Sequence, residues 1–145
     1  MKQRNAATAN KKPLKSKPVT ESVLQSQCVA WFRAQYPEIV IFAIPNAAKR
    51  SFALAARMRK EGMVSGIPDL MVARPNTEII RLAKDCYCIG NPTYYGLFIE
   101  MKRDKSEKPT FNQTYYLAKL QEAGYKTAVC HSFDEFQQTV NDYLK

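Results

Sequence analysis

The run Tyr95-Gly-Leu-Phe-Ile-Glu-Met-Lys102 constrains this chain more than any other stretch. It begins as the strongest strand signal in the sequence and ends with a carboxylate and an ammonium two positions apart. Side chains two apart on a strand share a face, with their roots about 6–7 Å apart. Glu100 and Lys102 are therefore neighbours, and Met101 turns the other way. Either the strand ends in a solvated surface ion pair of little energetic weight, or it delivers two charges to a site.

Around this strand, helix-like and strand-like segments alternate. Thr20 reads as the N-cap of a helix in which Val23, Leu24, Cys28, Trp31 and Phe32 recur at helical spacing, with Glu21 in its first turn and Pro37 beyond its end. The apolar run Ile39–Ile44, stopped by Pro45 and Asn46, predicts a buried strand. A helix is expected from Ala47 to Lys60, closed by Gly62, and then the turn Gly66-Ile67-Pro68 feeds a strand from Asp69. Between the two halves, a strand at Glu78–Leu82 and an irregular loop around Gly90-Asn91-Pro92 are expected. After Lys102 come a charged loop, a helix from Pro109 to Ala123 ended by Gly124, a strand over Tyr125–Cys130, and an amphipathic helix with Ser132 as N-cap. Strands separated by helices indicate an α/β layer fold with a mixed or partly parallel sheet.

The 145-residue chain is expected to form one domain behind a tail. Its formal charge is +9, and residues 1–18 hold six Lys or Arg with no acid, leaving about +3 for residues 19–145. Too few apolar residues occur in 1–18 to offset the entropy of ordering, so a disordered basic arm is expected. The positive excess favours a polyanionic partner, most often nucleic acid. No membrane-length apolar run or secretory leader is visible, so a cytoplasmic, non-secreted protein is expected. Cys28 and Cys130 read as small buried hydrophobes. Cys86 and Cys88 lack the usual CxxC spacing, and the lone His131 supplies no obvious fourth ligand, so structural zinc is not favoured.

Asp69 raises the chemical stakes. It sits behind a stiff turn where packing requires no carboxylate, although Pro-Asp is also ordinary turn chemistry. Two acids on adjacent strands can converge on a hard divalent cation, and a lysine beside that cation can serve an attacking water and a phosphate.

With these residues in view, Gly66-Ile67-Pro68-Asp69-Leu70 followed by Phe98-Ile99-Glu100-Met101-Lys102-Arg103 resembles the PD-(D/E)xK nuclease signature, in the form used by the VRR-NUC (virus-type replication-repair nuclease) family. The resemblance spans residues 19–145 and includes Glu21 with Gln25, Asn46, Gln113-Thr-Tyr-Tyr-Leu and the Gly124-to-Val129 strand. It implies a restriction-endonuclease-like fold with a central mixed sheet flanked by helices. It further implies that Asp69 and Glu100 bind Mg²⁺ or Mn²⁺, helped by the Met101 backbone carbonyl, with Glu21 contributing through a metal-bound water. Lys102 then stands at the attacking water, and Gln113 positions the lysine or the phosphate. Glu21 also has a plain reading as a first-turn acid favoured by the helix dipole, and Gln113 as an exposed helix polar. The implied activity is a metal-dependent deoxyribonuclease acting on branched DNA such as Holliday junctions or flaps, as a homodimer, in a bacterial or phage-infected cell. A sequence-specific restriction-type nuclease and an inactive DNA-binding module are the alternatives.

Lys49, Arg50, Arg57, Arg59 and Lys60 cluster on the predicted second helix, and Arg103, Lys105 and Lys108 follow the lysine. They track a phosphate backbone if they face the cleft, and otherwise form solvated surface. Tyr94, Tyr95, Tyr115 and Tyr116 are either core residues or stacking partners for unpaired bases. His131 is given no catalytic role.

Overall fold

The computed structural model describes residues 20–45, 51–84 and 86–145. The basic arm, Asn46, Lys49 and Arg50 lie outside the described residues. Thr20 caps helix α1 (Glu21–Gln35), its hydroxyl accepting the Val23 N–H. Leu24, Cys28 and Phe32, four apart, form the buried stripe of this helix. Val23, expected on that stripe, is half exposed because it lies one residue, or about 100° of helix, off the line.

Strand β1 (Ile41–Ala43) corrects a second expectation. It is an edge strand with only Ile41 buried, while Val40 and Phe42 are exposed. Helix α2 (Phe52–Lys60) is capped by the Ser51 hydroxyl and buries none of its residues; residues 47–50 of the expected helix lie outside the described residues. Strands β2 (Leu70–Val72), β5 (Leu97–Met101) and β6 (Lys126–Cys130) complete a four-stranded sheet in the order β1-β2-β5-β6. The first two pairings are antiparallel and the third is parallel, so the sheet is mixed.

Where a strand and an irregular loop were expected, β3 (Asn76–Ala83) and β4 (Cys86–Tyr94) form a separate two-stranded antiparallel ribbon. Gly90, Asn91 and Pro92 lie within β4, and the pairing absorbs them through shifts of register. Helix α4 (Phe133–Leu144) holds the base of the ribbon: the Tyr143 hydroxyl donates to the Arg74 carbonyl at 2.6 Å, and the Asn76 amide donates to the Tyr143 carbonyl. Helix α3 (Phe111–Glu122) lies between β5 and β6 in the chain and ends at Gly124, whose φ of +87° is the left-handed conformation that a helix C-terminus favours.

Strand alternation divides the sheet into two faces with different work. Leu97, Ile99 and Met101 share one face with Leu70, Val72 and Ile41, and these pack with the α1 stripe and with Phe136, Val140 and Tyr143 of α4 into the main core. On the opposite face, Phe98 meets the Tyr125 ring edge-on at 5.1 Å, and Glu100 follows two residues later.

Candidate active site

Asp69 and Glu100 are brought together by the β2–β5 register. Leu70 pairs with Ile99, so Asp69 and Glu100 stand opposite one another one step further on and project from the same face. The turn in front of Asp69 needs its glycine for two reasons. Gly66 has a φ of +95°, and a Cβ there would stand 2.8 Å from the Asn112 Cβ and 2.9 Å from the Asn112 carbonyl carbon. The turn is thus pressed against the start of α3, and Pro68 behind it is fully buried. Asp69 is itself buried, and its Oδ2 accepts the Met101 N–H at 2.9 Å.

Glu100 has no solvent exposure. Its Oε1 accepts hydrogen bonds from Lys102 Nζ at 2.5 Å and from Gln113 Nε2, whereas its Oε2 is buried with no partner. The Lys102 side chain is only 9% exposed, and its main-chain N–H donates to the Cys130 carbonyl at 2.8 Å, which extends the parallel β5–β6 pairing to the lysine. The solvated-strand-end reading of Glu100 and Lys102 is therefore excluded.

Gln113 is buried as well, not an exposed helix polar. Thr110 and Gln113 form a capping box: the Thr110 hydroxyl accepts the Gln113 N–H, and Gln113 Oε1 accepts the Thr110 N–H at 2.8 Å. The other end of the same amide reaches Glu100. One side chain therefore fixes the start of α3 and orients the carboxylate. Glu21, in the first turn of α1, is partly buried and lies within electrostatic reach of Asp69, Lys102 and Glu107.

The acids are tuned mainly by desolvation. Burial pushes the Glu100 carboxyl up to about 7; the Lys102 ammonium pulls against this rise, while Asp69 and Glu21 add to it. Asp69 is raised by burial and held back by its bond from the Met101 N–H and by Lys102. Burial also raises Glu21, against the pull of Lys102 and with a further push from Asp69.

Two buried carboxylates, one with an oxygen lacking any donor, suit a hard cation that takes oxygen ligands. Asp69 and Glu100 would be the side-chain donors to such an ion, and the resemblance implies the Met101 main-chain carbonyl beside them. Among the described residues, no group of three or more His, Cys, Asp or Glu side chains forms a ready metal cluster, so main-chain and water oxygens would have to complete the shell. The core residues Cys28 and Cys130 are both fully buried free thiols. Their thiols are pushed up to about 12 and about 11, chiefly by burial.

Lys102 is the basic residue bonded within this centre, and Arg103 acts on Glu21 electrostatically. Arg57 pairs with Glu61 at 2.7 Å on the exposed side of α2, near an apolar hollow of about 400 Å³ that Met58, Met63 and Ile67 help to line. Arg103 pairs with Asp104 and Glu107, and Lys105 with Glu135, which also accepts from the His131 main-chain N–H. Tyr94 packs against the core, while Tyr95 and Tyr115 are about half exposed. Charge and spacing alone miss Thr110, which the Thr-x-x-Gln pattern of a capping box signals.

The family model for the VRR-NUC domain matches residues 6–134. The chain belongs to the VRR-NUC family. A solved structure described as a VRR_NUC domain protein matches this VRR-NUC chain with a TM-score of 0.65 and 22% identity, covering 88% of this chain and 90% of that one. Another, described as a VRR_NUC domain, has a TM-score of 0.51 and 21% identity, covering 85% of this chain and 96% of that one. At these identities the likeness speaks for the fold, which is restriction-endonuclease-like. No curated protein matches the chain. Among the described residues, no helix is long and apolar enough to cross a membrane.

Proposed function

We propose that this VRR-NUC domain is an Mg²⁺- or Mn²⁺-dependent endonuclease that hydrolyses DNA phosphodiesters at branched structures such as Holliday junctions or flaps. The observation that carries the reading is Glu100, a fully buried carboxylate with one oxygen unpartnered, opposite Asp69 and 2.5 Å from the Lys102 ammonium. A structural ion pair gains nothing from that spare oxygen, since an unsatisfied buried acceptor costs about 1–3 kcal/mol.

Asp69, Glu100 and the Met101 carbonyl would hold the ion, with Glu21 reaching it through water. When bound, the ion supplies Lewis-acid stabilisation of phosphate charge and acidifies a water. Lys102 holds the attacking water and donates to the phosphate oxygens. Gln113 keeps the Glu100 carboxylate in one orientation, so that the strand end is preorganised. Hydrolysis forms a bond from the water oxygen to phosphorus and breaks the bond to the leaving nucleotide oxygen, which takes up a proton. Arg57, Arg59, Lys60, Arg103 and Lys105, with Lys49, Arg50 and the basic arm, supply phosphate contacts that do not depend on sequence.

Paired incision across a junction needs two sites, which favours a homodimer. The β3–β4 ribbon favours a second reading, a sequence-specific restriction-type nuclease, because a two-stranded ribbon can enter a major groove. Cleavage of a matched panel of duplex, single strand, flap and four-way junction, with each metal and with chelator, tests both. Cutting concentrated on the junction or flap and absent in Lys102→Ala is expected. Cutting of duplex at one sequence would favour the restriction reading, and tight binding without cutting would favour an inactive DNA-binding module.

A further inference from the structure

We propose that Phe111 is a stacking platform for an unpaired nucleobase at the rim of the site, and so a specificity-determining residue for DNA that carries unpaired bases. This rests on the reading of the domain as acting on DNA.

Phe111 opens α3 and is 85% exposed, a costly position for a phenyl ring that does no packing. Its main chain, however, is fixed on all sides. Thr110 before it is locked into the capping box, Asn112 after it is pressed against the Gly66 turn that presents Asp69, and Gln113 donates to Glu100. The backbone root of the ring is thus held at the start of the same helix turn that carries Gln113, while the ring itself is free to solvent. One turn along the same helix edge stands Tyr115, 49% exposed, with the Tyr116 ring edge-on against it at 5.1 Å.

The surrounding charge suits a nucleotide. Lys108, three residues before Phe111, is exposed and has no acidic partner among the described residues, unlike Arg103 and Lys105 in the same loop. A free ammonium for phosphate three residues before a bare ring for a base is a combination that suits an unpaired strand. Paired bases keep their faces stacked within the duplex, so the ring can engage only bases that a branch, flap or end leaves open.

The test is binding in chelator, where no cleavage is needed. The full-length protein is titrated against a flapped duplex with a fluorescent aminopurine at the first unpaired position, and against the same duplex fully paired. Phe111→Ala should weaken affinity for the flapped DNA about tenfold, abolish the quenching of aminopurine and leave duplex affinity unchanged; Phe111→Trp should restore both signals. Phe52→Ala is the control, since Phe52 is equally exposed at the start of another helix, α2. Equal loss on flapped and paired DNA, an equal effect of Phe52→Ala, or a change only in oligomeric state would overturn the proposal. Failure of wild-type protein to cleave would count against the nuclease reading while leaving this stacking result to stand or fall alone.

Discussion

The two faces of β5 are buried to the same degree and do opposite things to the molecule. Leu97, Ile99 and Met101 enter an apolar core, where burial of each large side chain stabilises by about 1.5–3 kcal/mol. On the other face Glu100 and Lys102 are equally hidden, but there burial works against the charge, and one Glu100 oxygen finds no donor. The difference teaches that burial has no energetic sign until its partners are known. One face of the strand supports the fold, and the fold supports the other face.

The sharpest way to separate the faces is to remove one side chain from each. Lys102→Ala should lower the cleavage rate by about a thousandfold while leaving the thermal midpoint near pH 6 close to wild type; an active variant would remove the lysine from the mechanism. Ile99→Ala should do the reverse, costing about 2–5 kcal/mol in denaturant unfolding, with the activity of the remaining folded protein preserved. If Ile99→Ala abolished activity without loss of stability, the division of labour between the faces would fail.

A pH series sharpens the contrast further. The Glu100 carboxyl is raised in the folded protein to about 7 from 4.5, so the native state holds its proton more tightly than the unfolded chain does. The stability associated with that proton is fully present below the unfolded value and is lost as pH rises through about 7, the total approaching about 3 kcal/mol. In metal-free protein, Glu100→Gln should therefore be more stable than wild type near pH 8 by up to about that amount, and no more stable near pH 4. Added Mg²⁺ or Mn²⁺ should raise the midpoint of wild type and not of the variant. A wild-type curve flat with pH would mean that burial does not govern this carboxylate.

The smallest effects belong to the periphery. Lys105→Gln breaks an exposed pair with Glu135 and should shift stability by less than about 0.5 kcal/mol. If Lys105 contacts phosphate, the same change lowers the salt slope of DNA binding by about 1. Removing residues 1–18 should flatten that slope more, and an unchanged slope would show that the arm does not touch DNA.

Much of this was readable before any coordinates. Thr20 and Ser132 announced their helices because a short hydroxyl before an apolar-periodic run satisfies the first free N–H groups, and both cap as expected. The β5 strand was plain from its apolar run, and Asp69, Glu100 and Lys102 stood out as charges where packing asks for none. The edge position of β1 was hidden because a three-residue apolar strand looks the same at an edge as in the middle; the neighbour it lacks is not encoded nearby. The β3–β4 ribbon was obscured because Gly90, Asn91 and Pro92 break strand patterns, yet a ribbon tolerates them through shifted register. Gln113 was ambiguous because its burial depends on Glu100, thirteen residues away on another element.

By itself, then, the sequence marked Asp69, Glu100 and Lys102 as charges where packing asks for none and put Glu100 and Lys102 on one side of a strand, since period-two geometry is a local property of the chain. Only the tertiary structure decided that this face would be dry, that Asp69 would stand opposite Glu100, and that a capping glutamine would also orient the carboxylate. Those outcomes depend on strand register and on the approach of α3 to the Gly66 turn. Such contacts are set by the packing of distant segments, and no local pattern of residues specifies them.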